Sequence, residues 1–282
     1  GLNSTSFNGA RLVGPGAAGL AIAAFGVGPT LLFNALSFLA FIGAIMAMRA
    51  DELHPAPLAK ARGAAREGLS YLRQRPDIIV VLVIVFMLGT FGMNFQIYNA
   101  TMATEVFGKG ATEYGMLGTI MAFGTLAGAL MAARRVKPSF RTLLLALAGF
   151  AVSTALLTIA PNYTVYSLLL IPAGFCALTV MTTANASVQL ATAPEFRGRV
   201  MAIYVAIFVG GTPLGAPIIG WVGEILGPRA SVAIGAVATG LTVIGVLAYL
   251  MIHDGLRLAV ERGLPLRLRV RWDRQRASEV PA

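Results

Sequence analysis

Eight long apolar runs constrain this chain more than any other feature of its sequence. A membrane-spanning helix needs about 20 mostly apolar residues, and runs of that length follow one another along the chain. They are continuously apolar rather than alternating over about 10 residues, which excludes spanning strands. Charged residues make up only 12% of the chain, far fewer than in a soluble domain. The sequence therefore predicts an all-α polytopic membrane bundle with spans at 4–25, 30–48, 77–99, 113–133, 142–160, 164–190, 200–225 and 230–252.

The distribution of basic residues predicts the orientation of these spans. Nineteen Lys and Arg fall in four segments, with six in 49–77, four in 134–141, two in 191–199 and seven in the tail from 253. The loops on the other side hold only Lys109 and Arg229. Basic loops stay in the cytoplasm, so we expect both termini there. Anionic lipid headgroups account for the net charge of +10, and no nucleic-acid partner is expected.

Polar interruptions divide the chain into four parts. Residues 1–48 hold two spans, 49–76 form a cytoplasmic linker, 77–252 hold six spans, and 253–282 form a basic cytoplasmic tail that is either peripheral or disordered. In the linker, Leu58, Ala65, Leu69 and Leu72 share one helical face surrounded by basic residues. This pattern indicates a short helix on the membrane surface; a solvated linker with helical propensity is the alternative.

The chain repeats itself at a separation of 201 residues. This shift aligns Phe7 with Phe208, Gly9 with Gly210, Gly14 with Gly215, Gly19 with Gly220, and Gly26 with Gly227. If the first two spans correspond to the last two, one repeating unit is six helices. The N-terminal unit is then represented only by its last two helices.

Several stretches resemble the major facilitator superfamily. "PEFRGRVMAIYVAIFVGGTPLGAPIIGWVGEILGPR" is similar to the loop before the eleventh span and to that span, "NGARLVGPGAAG" resembles the Gly-Pro motif of the fifth span, and "EGLSYLRQRPDI" resembles the start of the seventh. The closest subgroup is the enterobactin-exporter-like proteins of bacterial inner membranes. "GALMAARRVKPSFR", at the position of a second-half Asp-Arg motif, departs from the pattern because it has no Asp.

The resemblance implies a twelve-helix fold of two parallel six-helix repeats, of which this chain represents spans five to twelve. It implies secondary active, proton-coupled efflux of a small amphipathic compound, siderophore-like or drug-like, by alternating access across the cell inner membrane. Activity would need the missing N-terminal helices. The alternative is a truncated membrane protein that does not transport and only packs against a partner.

Few polar groups lie within the spans, and these are the candidate substrate contacts. Apart from Arg11, no charged residue falls in the middle of a span, so the proton carrier is expected in the missing helices. The candidate substrate pathway comprises Arg11, Asn94, Gln96, Asn99, Thr182, Asn185 and Gln189. For the amides the alternative is interhelical hydrogen bonding, the usual role of such side chains in membrane helices.

A second set of residues is predicted to permit conformational change. Prolines remove backbone hydrogen bonds and kink a helix. Glycines allow close helix packing, as predicted for the faces Gly124-x-x-x-Gly128 and Gly215-x-x-x-x-Gly220. The candidate gating residues are Gly14, Pro15, Gly19, Arg197, Gly198, Arg199, Pro213, Gly215, Pro217 and Gly220. Arg197 and Arg199 can pair with a neighbouring helix end in one conformation and release it in the other; topological anchoring is the alternative. For the prolines the alternative is a static kink.

The position of Arg11 depends on where the first helix begins. By the repeat, Arg11 aligns with Thr212, thirteen residues beyond Arg199, which at 1.5 Å per residue is nearly 20 Å along the helix. That depth is past the middle of a core about 30 Å thick. If "NSTSFN" is instead a loop and Asn8 an N-cap, Arg11 is a snorkelling anchor near the surface.

The inventory of reactive side chains excludes the common enzyme classes. His54 and His253 lie outside the spans, and the single Cys176 has no histidine near it in sequence. No metal-ligand spacing and no phosphate-binding glycine loop occurs. We therefore expect no enzymatic activity, no cofactor and no metal.

Overall fold

The computed structural model describes residues 21–22, 24–48, 64–135, 138–253, 257–261 and 267–271. In these ranges seven helices are long and apolar enough to cross a membrane. They correspond to the last seven of the eight predicted spans, whereas the span at 4–25 lies almost entirely outside the described residues. The prediction of a polytopic, helical membrane protein is confirmed.

Within the described ranges, nine α-helices with both ends assigned precede a short β-hairpin. The helices are α1 (Val27–Met46), α2 (Ala64–Arg73), α3 (Pro76–Met87), α4 (Phe95–Thr101), α5 (Ala111–Ala133), α6 (Phe140–Thr158), α7 (Tyr163–Ala191), α8 (Arg197–Leu226) and α9 (Pro228–His253). α3 and α4 belong to one membrane-crossing segment, Pro76–Val106, which also contains π-helical turns at Leu88–Gly92 and Met102–Val106.

The helices from α3 to α9 form one bundle with an apolar interior and an apolar exterior. Leu143, Leu147 and Phe150 of α6 are fully buried. On the outside, Leu145 is 73% exposed and Trp221 is 63% exposed. Water would disfavour so many large apolar side chains on a surface, whereas lipid hydrocarbon solvates them.

Glycines set a very close helix contact in this bundle, between α5 and α7. A Cβ on Gly124 would overlap the carbonyl oxygen of Ile171, and a Cβ on Gly128 would lie 2.9 Å from the carbonyl oxygen of Phe175. The predicted small-residue face Gly124-x-x-x-Gly128 is therefore a backbone-to-backbone packing surface, as expected for helices in lipid.

Helix α1 lies apart from the buried core. Its large side chains are exposed along the whole helix, including Phe33 at 67%, Phe41 at 63% and Met46 at 81%. None of its described residues contributes to the buried core of the bundle. This helix therefore presents an apolar surface that the described part of the chain leaves uncovered.

The backbone conformation supports the 201-residue repeat. Gly26, which precedes α1, has φ 81° and ψ 173°. Gly227, which precedes α9 and aligns with Gly26, has φ 88° and ψ 164°. These φ values lie in a region that side-chain-bearing residues rarely adopt. Both copies of the motif thus turn the chain into the next span in the same way.

The described residues of the tail form a short hairpin. Strands β1 (Arg257–Glu261) and β2 (Arg267–Arg271) pair antiparallel, with Arg257 opposite Arg271. Apolar and polar residues alternate in "RLRVR", and that period is typical of strands. The hairpin is compatible with the peripheral alternative for this tail.

Candidate substrate pathway and gating helix

The membrane-crossing segment Pro76–Val106 is interrupted next to Asn94. In the π-helical turn before it, the Met93 N–H donates to the carbonyl of Leu88 at 2.9 Å. Asn94 is 4% exposed, and its Nδ2 donates to the carbonyl of Thr90 at 2.7 Å. π-turns often occur at functional sites, but this side chain is engaged with the backbone of the interrupted helix. The contact favours a structural role for Asn94.

Asn99 joins α4 to α7. The Tyr166 Oη donates to Asn99 Oδ1 at 3.1 Å, and both side chains are buried. This contact is the interhelical hydrogen bond that the sequence left open as the alternative to substrate binding. A buried amide in lipid needs such a partner because water is not available to it.

The polar residues of α7 form a separate group. The Gln189 Nε2 donates to Asn185 Oδ1 at 2.6 Å, and the Thr182 Oγ1 donates to the carbonyl of Leu178 at 2.8 Å. Asn185 and Thr182 are half-buried and Gln189 is exposed. Asn185 lies nineteen residues beyond Tyr166, which is about 28 Å along the helix. The structure therefore does not bring Asn99 and Asn185 into one site.

Gln96 differs from its two neighbours on the same segment. Its side chain is exposed, whereas Asn94 and Asn99 are buried in the bundle. Only Gln96 on this segment is placed so that a molecule outside the bundle could reach its amide. The described candidates that stay accessible are thus Gln96 and the α7 group of Thr182, Asn185 and Gln189.

Helix α8 packs through glycines against the π-helical turn Leu88–Gly92. A Cβ on Gly211 would lie 2.6 Å from Thr90 Oγ1, and a Cβ on Gly215 would overlap the carbonyl of Thr90. The contact is reciprocal, since a Cβ on Gly89 would lie 2.8 Å from the carbonyl oxygen of Phe208. Of the two interior prolines of α8, Pro213 lies between these glycines and Pro217 follows them. The closest contact of α8 therefore lies where its backbone lacks two hydrogen bonds.

The other predicted gating residues do not share this contact. A Cβ on Gly198 or on Gly220 would meet no atom of the described chain within 4 Å. The predicted residues Arg11, Gly14, Pro15 and Gly19 lie outside the described residues.

Arg197 and Arg199 contact two different elements at the start of α8. The Arg197 Nε donates to the carbonyl of Gln189 at 3.1 Å, in the last turn of α7. The Arg199 Nη1 pairs with Glu67 Oε2 of α2 at 2.8 Å. The two arginines thus tie the start of α8 to the end of α7 and to the linker helix.

Aromatic stacking strengthens this connection. Tyr71 of α2 stacks on Phe196, with ring centroids 4.6 Å apart and an interplanar angle of 13°. The Ala193 N–H donates to the Tyr71 Oη at 3.1 Å, and the Arg199 guanidinium lies 5.6 Å from the centroid of the Phe196 ring. We call Glu67, Tyr71, Phe196, Arg197 and Arg199 the basic-end cluster, and the end of the bundle that carries it the basic end.

Sequence reasoning missed Glu67 and Tyr71. The apolar pattern correctly indicated a helix, which the structure has at Ala64–Arg73. However, its buried residue Leu72 packs into the bundle core, with 3% exposure. One signal for a protein contact was available in the sequence. Glu67 and Tyr71 are an acidic and an aromatic residue on a helix that is otherwise surrounded by basic residues.

The opposite end of the bundle carries two carboxylates beside one cavity. Glu105 and Glu224 both line a space of about 370 Å³ between the ends of the segment Pro76–Val106 and of α8. Nearby, the Arg229 guanidinium donates to the carbonyls of Thr158 at 2.8 Å and Ala160 at 2.9 Å, which caps the end of α6. Among the described residues, no group of three or more His, Cys, Asp or Glu is placed to hold a metal ion.

The described chain is a multi-pass apolar bundle in which a proline- and glycine-marked helix packs on an interrupted one, and a glycine turn recurs at a separation of 201 residues. These features are typical of a membrane transporter of the major-facilitator type. Comparison with protein families agrees, and the chain belongs to the major-facilitator family described as transmembrane secretion effector, which it matches over residues 1–261. The search of curated proteins returned no match.

Proposed function

We propose that the chain is the greater part of a secondary active exporter in a bacterial inner membrane. It moves a small amphipathic compound outward, coupled to protons, by alternating access between two six-helix halves. The last two helices of the first half occupy residues 1–48, the linker 49–76, the second half 77–252 and the tail 253–282. Both termini are cytoplasmic, and helices of the first half that this chain does not contain complete the cavity and carry the coupling proton.

The basic-end cluster is the observation that carries this proposal. It holds the start of α8 through an ion pair, a stacked ring and a hydrogen bond to a helix end, all of them contacts that can break without unfolding a core. An exposed ion pair contributes about 0.2–1 kcal/mol, so a substrate or a proton can supply the energy needed to open it. A cluster with only a structural role would be more stable if it buried apolar side chains in place of an exposed ion pair.

The backbone of α8 supports the same mechanism. Its interior prolines lack two backbone hydrogen bonds, and its contact with the Leu88–Gly92 turn is made by glycines. Opening of the basic-end cluster would let the first part of α8 pivot at this glycine contact, which in turn would widen access to the bundle from the basic end.

The accessible polar groups support an amphipathic substrate without an obligatory charge. Gln96, Thr182, Asn185 and Gln189 offer neutral donors and acceptors among apolar side chains. Each of these groups can orient a ligand through a hydrogen bond, while the apolar side chains around it bind the rest of the ligand.

The test breaks the ion pair in a protein that joins this chain to the first four helices of the proposed twelve-helix fold. We expect Glu67→Gln to change the rate of proton-driven efflux of a fluorescent amphipathic dye from proteoliposomes by up to about fivefold, the equivalent of 1 kcal/mol. The reversed pair, Glu67→Arg with Arg199→Glu, should restore most of the wild-type rate.

Glu195→Gln is the matched control, because Glu195 is an exposed acid in the adjoining loop and is not part of the cluster. An equal effect of Glu67→Gln and Glu195→Gln would reduce the cluster to surface electrostatics. Absence of any dye transport by the wild-type full-length protein across several amphipathic dyes would instead support the alternative, a membrane protein that only packs against a partner.

A further inference from the structure

Two neighbouring apolar grooves run along α3, one on each side of a row of its side chains. The first groove, between α3 and α9, encloses about 680 Å³ and is lined by residues such as Val80, Leu241 and Val246. The second groove, between α3, α2 and α8, encloses about 380 Å³ and is lined by residues such as Leu72, Phe86 and Ile207.

A single ridge separates the two grooves. Ile79, Val83 and Met87 line both of them, and residues spaced by four lie above one another on the same helix face. The grooves are therefore parallel channels on either side of one row of side chains. They begin at the same level, near Pro76, where α3 starts.

The depth of the grooves matches one leaflet of a bilayer. From Pro76 to Met87 the helix rises about 16 Å at 1.5 Å per residue, and half of a hydrocarbon core about 30 Å thick is about 15 Å. Each groove thus extends from the basic end to about the middle of the membrane, which is the depth reached by the acyl chains of one leaflet.

A positive charge stands at the mouth of the second groove. Arg73, in the last turn of α2, is the charged residue of its lining and is exposed. The neighbouring Arg75 is already engaged, since it pairs with Asp77 at 2.7 Å and donates to the Tyr71 Oη at 2.9 Å. Within the described chain, Arg73 has no ion-pair partner and remains available to an anion.

We propose that a diacyl phospholipid with an anionic headgroup binds astride α3. One acyl chain occupies each groove, the ridge of Ile79, Val83 and Met87 passes between the chains, and the phosphate lies at Arg73. The two grooves match the two acyl chains of such a lipid, and their depth matches the length of those chains. The single charge at the mouth matches the anionic headgroup. The site is independent of the transported compound.

The experiment measures lipids retained by the purified 282-residue chain. The chain is delipidated in detergent and incubated with equal amounts of phosphatidylglycerol, phosphatidylcholine and single-chain lysophosphatidylglycerol, and native mass spectrometry counts the bound molecules. We expect one phosphatidylglycerol to be retained in preference to the other two lipids. Arg73→Gln should reduce its preference over phosphatidylcholine roughly fivefold, the effect of one basic residue near the surface.

Each variant has a matched control on its own helix. Arg66 is an exposed arginine of α2 that lines neither groove, so Arg66→Gln should leave the preference unchanged. Gly245 of α9 lines the first groove and has open space where a Cβ would stand, so Gly245→Leu fills that groove without displacing the chain. The Gly245→Leu variant should lower retention of phosphatidylglycerol to the level of the single-chain lipid. Gly240 also has open space where a Cβ would stand but lies outside the grooves, so Gly240→Leu should leave retention unchanged.

Three results would overturn the proposal. If Arg73→Gln and Arg66→Gln changed the lipid preference equally, the anionic lipid would be attracted by the basic surface in general and not by Arg73. If the two leucine variants lowered lipid retention equally, no acyl chain would lie in the first groove. Retention of no lipid by a chain that elutes as a single folded species would mean that protein covers the grooves. An unchanged elution profile of each variant shows that loss of lipid is not loss of fold.

Discussion

The glycine contact between α5 and α7 predicts a large stability effect from a single methyl group. In Gly124→Ala the added carbon would overlap the carbonyl of Ile171, and a backbone group cannot rotate away as a side chain can. The two helices must separate, and overpacking of this kind costs about 3 kcal/mol at the upper end of its usual range. The higher helix propensity of alanine offsets about 1 kcal/mol of this loss. We therefore expect a net loss of about 2 kcal/mol in the free energy of unfolding.

The measurement is equilibrium unfolding of the purified chain in mixed micelles with increasing sodium dodecyl sulfate, followed by circular dichroism. Gly240→Ala is the control, since a Cβ there meets nothing within 4 Å and the same propensity gain should leave it at least as stable as wild type. Half-buried Cys176 of α7 packs against Gly149 of α6, so if the destabilised bundle opens earlier, its reaction with a thiol dye should begin at a lower temperature in Gly124→Ala. If Gly124→Ala were as stable as Gly240→Ala, the backbone packing of α5 on α7 would be refuted.

Three other predictions concern orientation, completeness and the first span. In a Cys176→Ser background, single cysteines at Lys109, Asn162 and Arg229 should react with an impermeant thiol reagent from outside; reaction at Lys60, Lys137 and Val270 instead would reverse the orientation. The 282-residue chain alone should not move substrate against a gradient in liposomes, because the apolar surface of α1 has no partner within the described chain; uphill transport by it would contradict this. In the full-length protein Arg11→Lys keeps the charge but loses the planar guanidinium, so transport should fall while expression is unchanged; full transport by normally inserted Arg11→Gln would make Arg11 a surface anchor.

Helix positions and one packing face were predictable because each follows from a strong local rule. The length of the apolar runs alone predicts the seven spans that the structure describes. The pattern Gly124-x-x-x-Gly128 correctly predicts a packing face, here against α7, because residues four apart lie on the same helix face. The interval Gly215-x-x-x-x-Gly220 failed as a packing face for the same reason. Five residues advance the helix by about 140° beyond one turn, so Gly215 meets Thr90 whereas Gly220 faces open space. The glycine pair that packs on the broken helix is Gly211 and Gly215.

The basic-end cluster was less predictable because its members are distant in sequence. Glu67 and Arg199 are separated by most of the bundle along the chain, and no periodic pattern connects them. Arg197 and Arg199 were recognisable as residues that could pair with a helix end, and the Gln189 carbonyl is such a partner. For the linker helix, the sequence pattern allows a membrane-surface helix or a solvated linker. In the structure, Tyr71 and Leu72 attach this helix to the bundle.

The amides show why composition alone overstates the size of a membrane site. Wherever a helix is interrupted in lipid, nearby polar side chains must satisfy the groups that water would otherwise reach, and Asn94 does this beside the Leu88–Gly92 turn. An amide next to a break is therefore expected to be structural, and an amide buried opposite a tyrosine, such as Asn99, is already paired. Gln96 is exposed, and Gln189 reaches only its own helix neighbour Asn185. Substitution of Gln96 or Asn185 should consequently alter which compounds are exported, whereas substitution of Asn94 or Asn99 should alter how much protein folds.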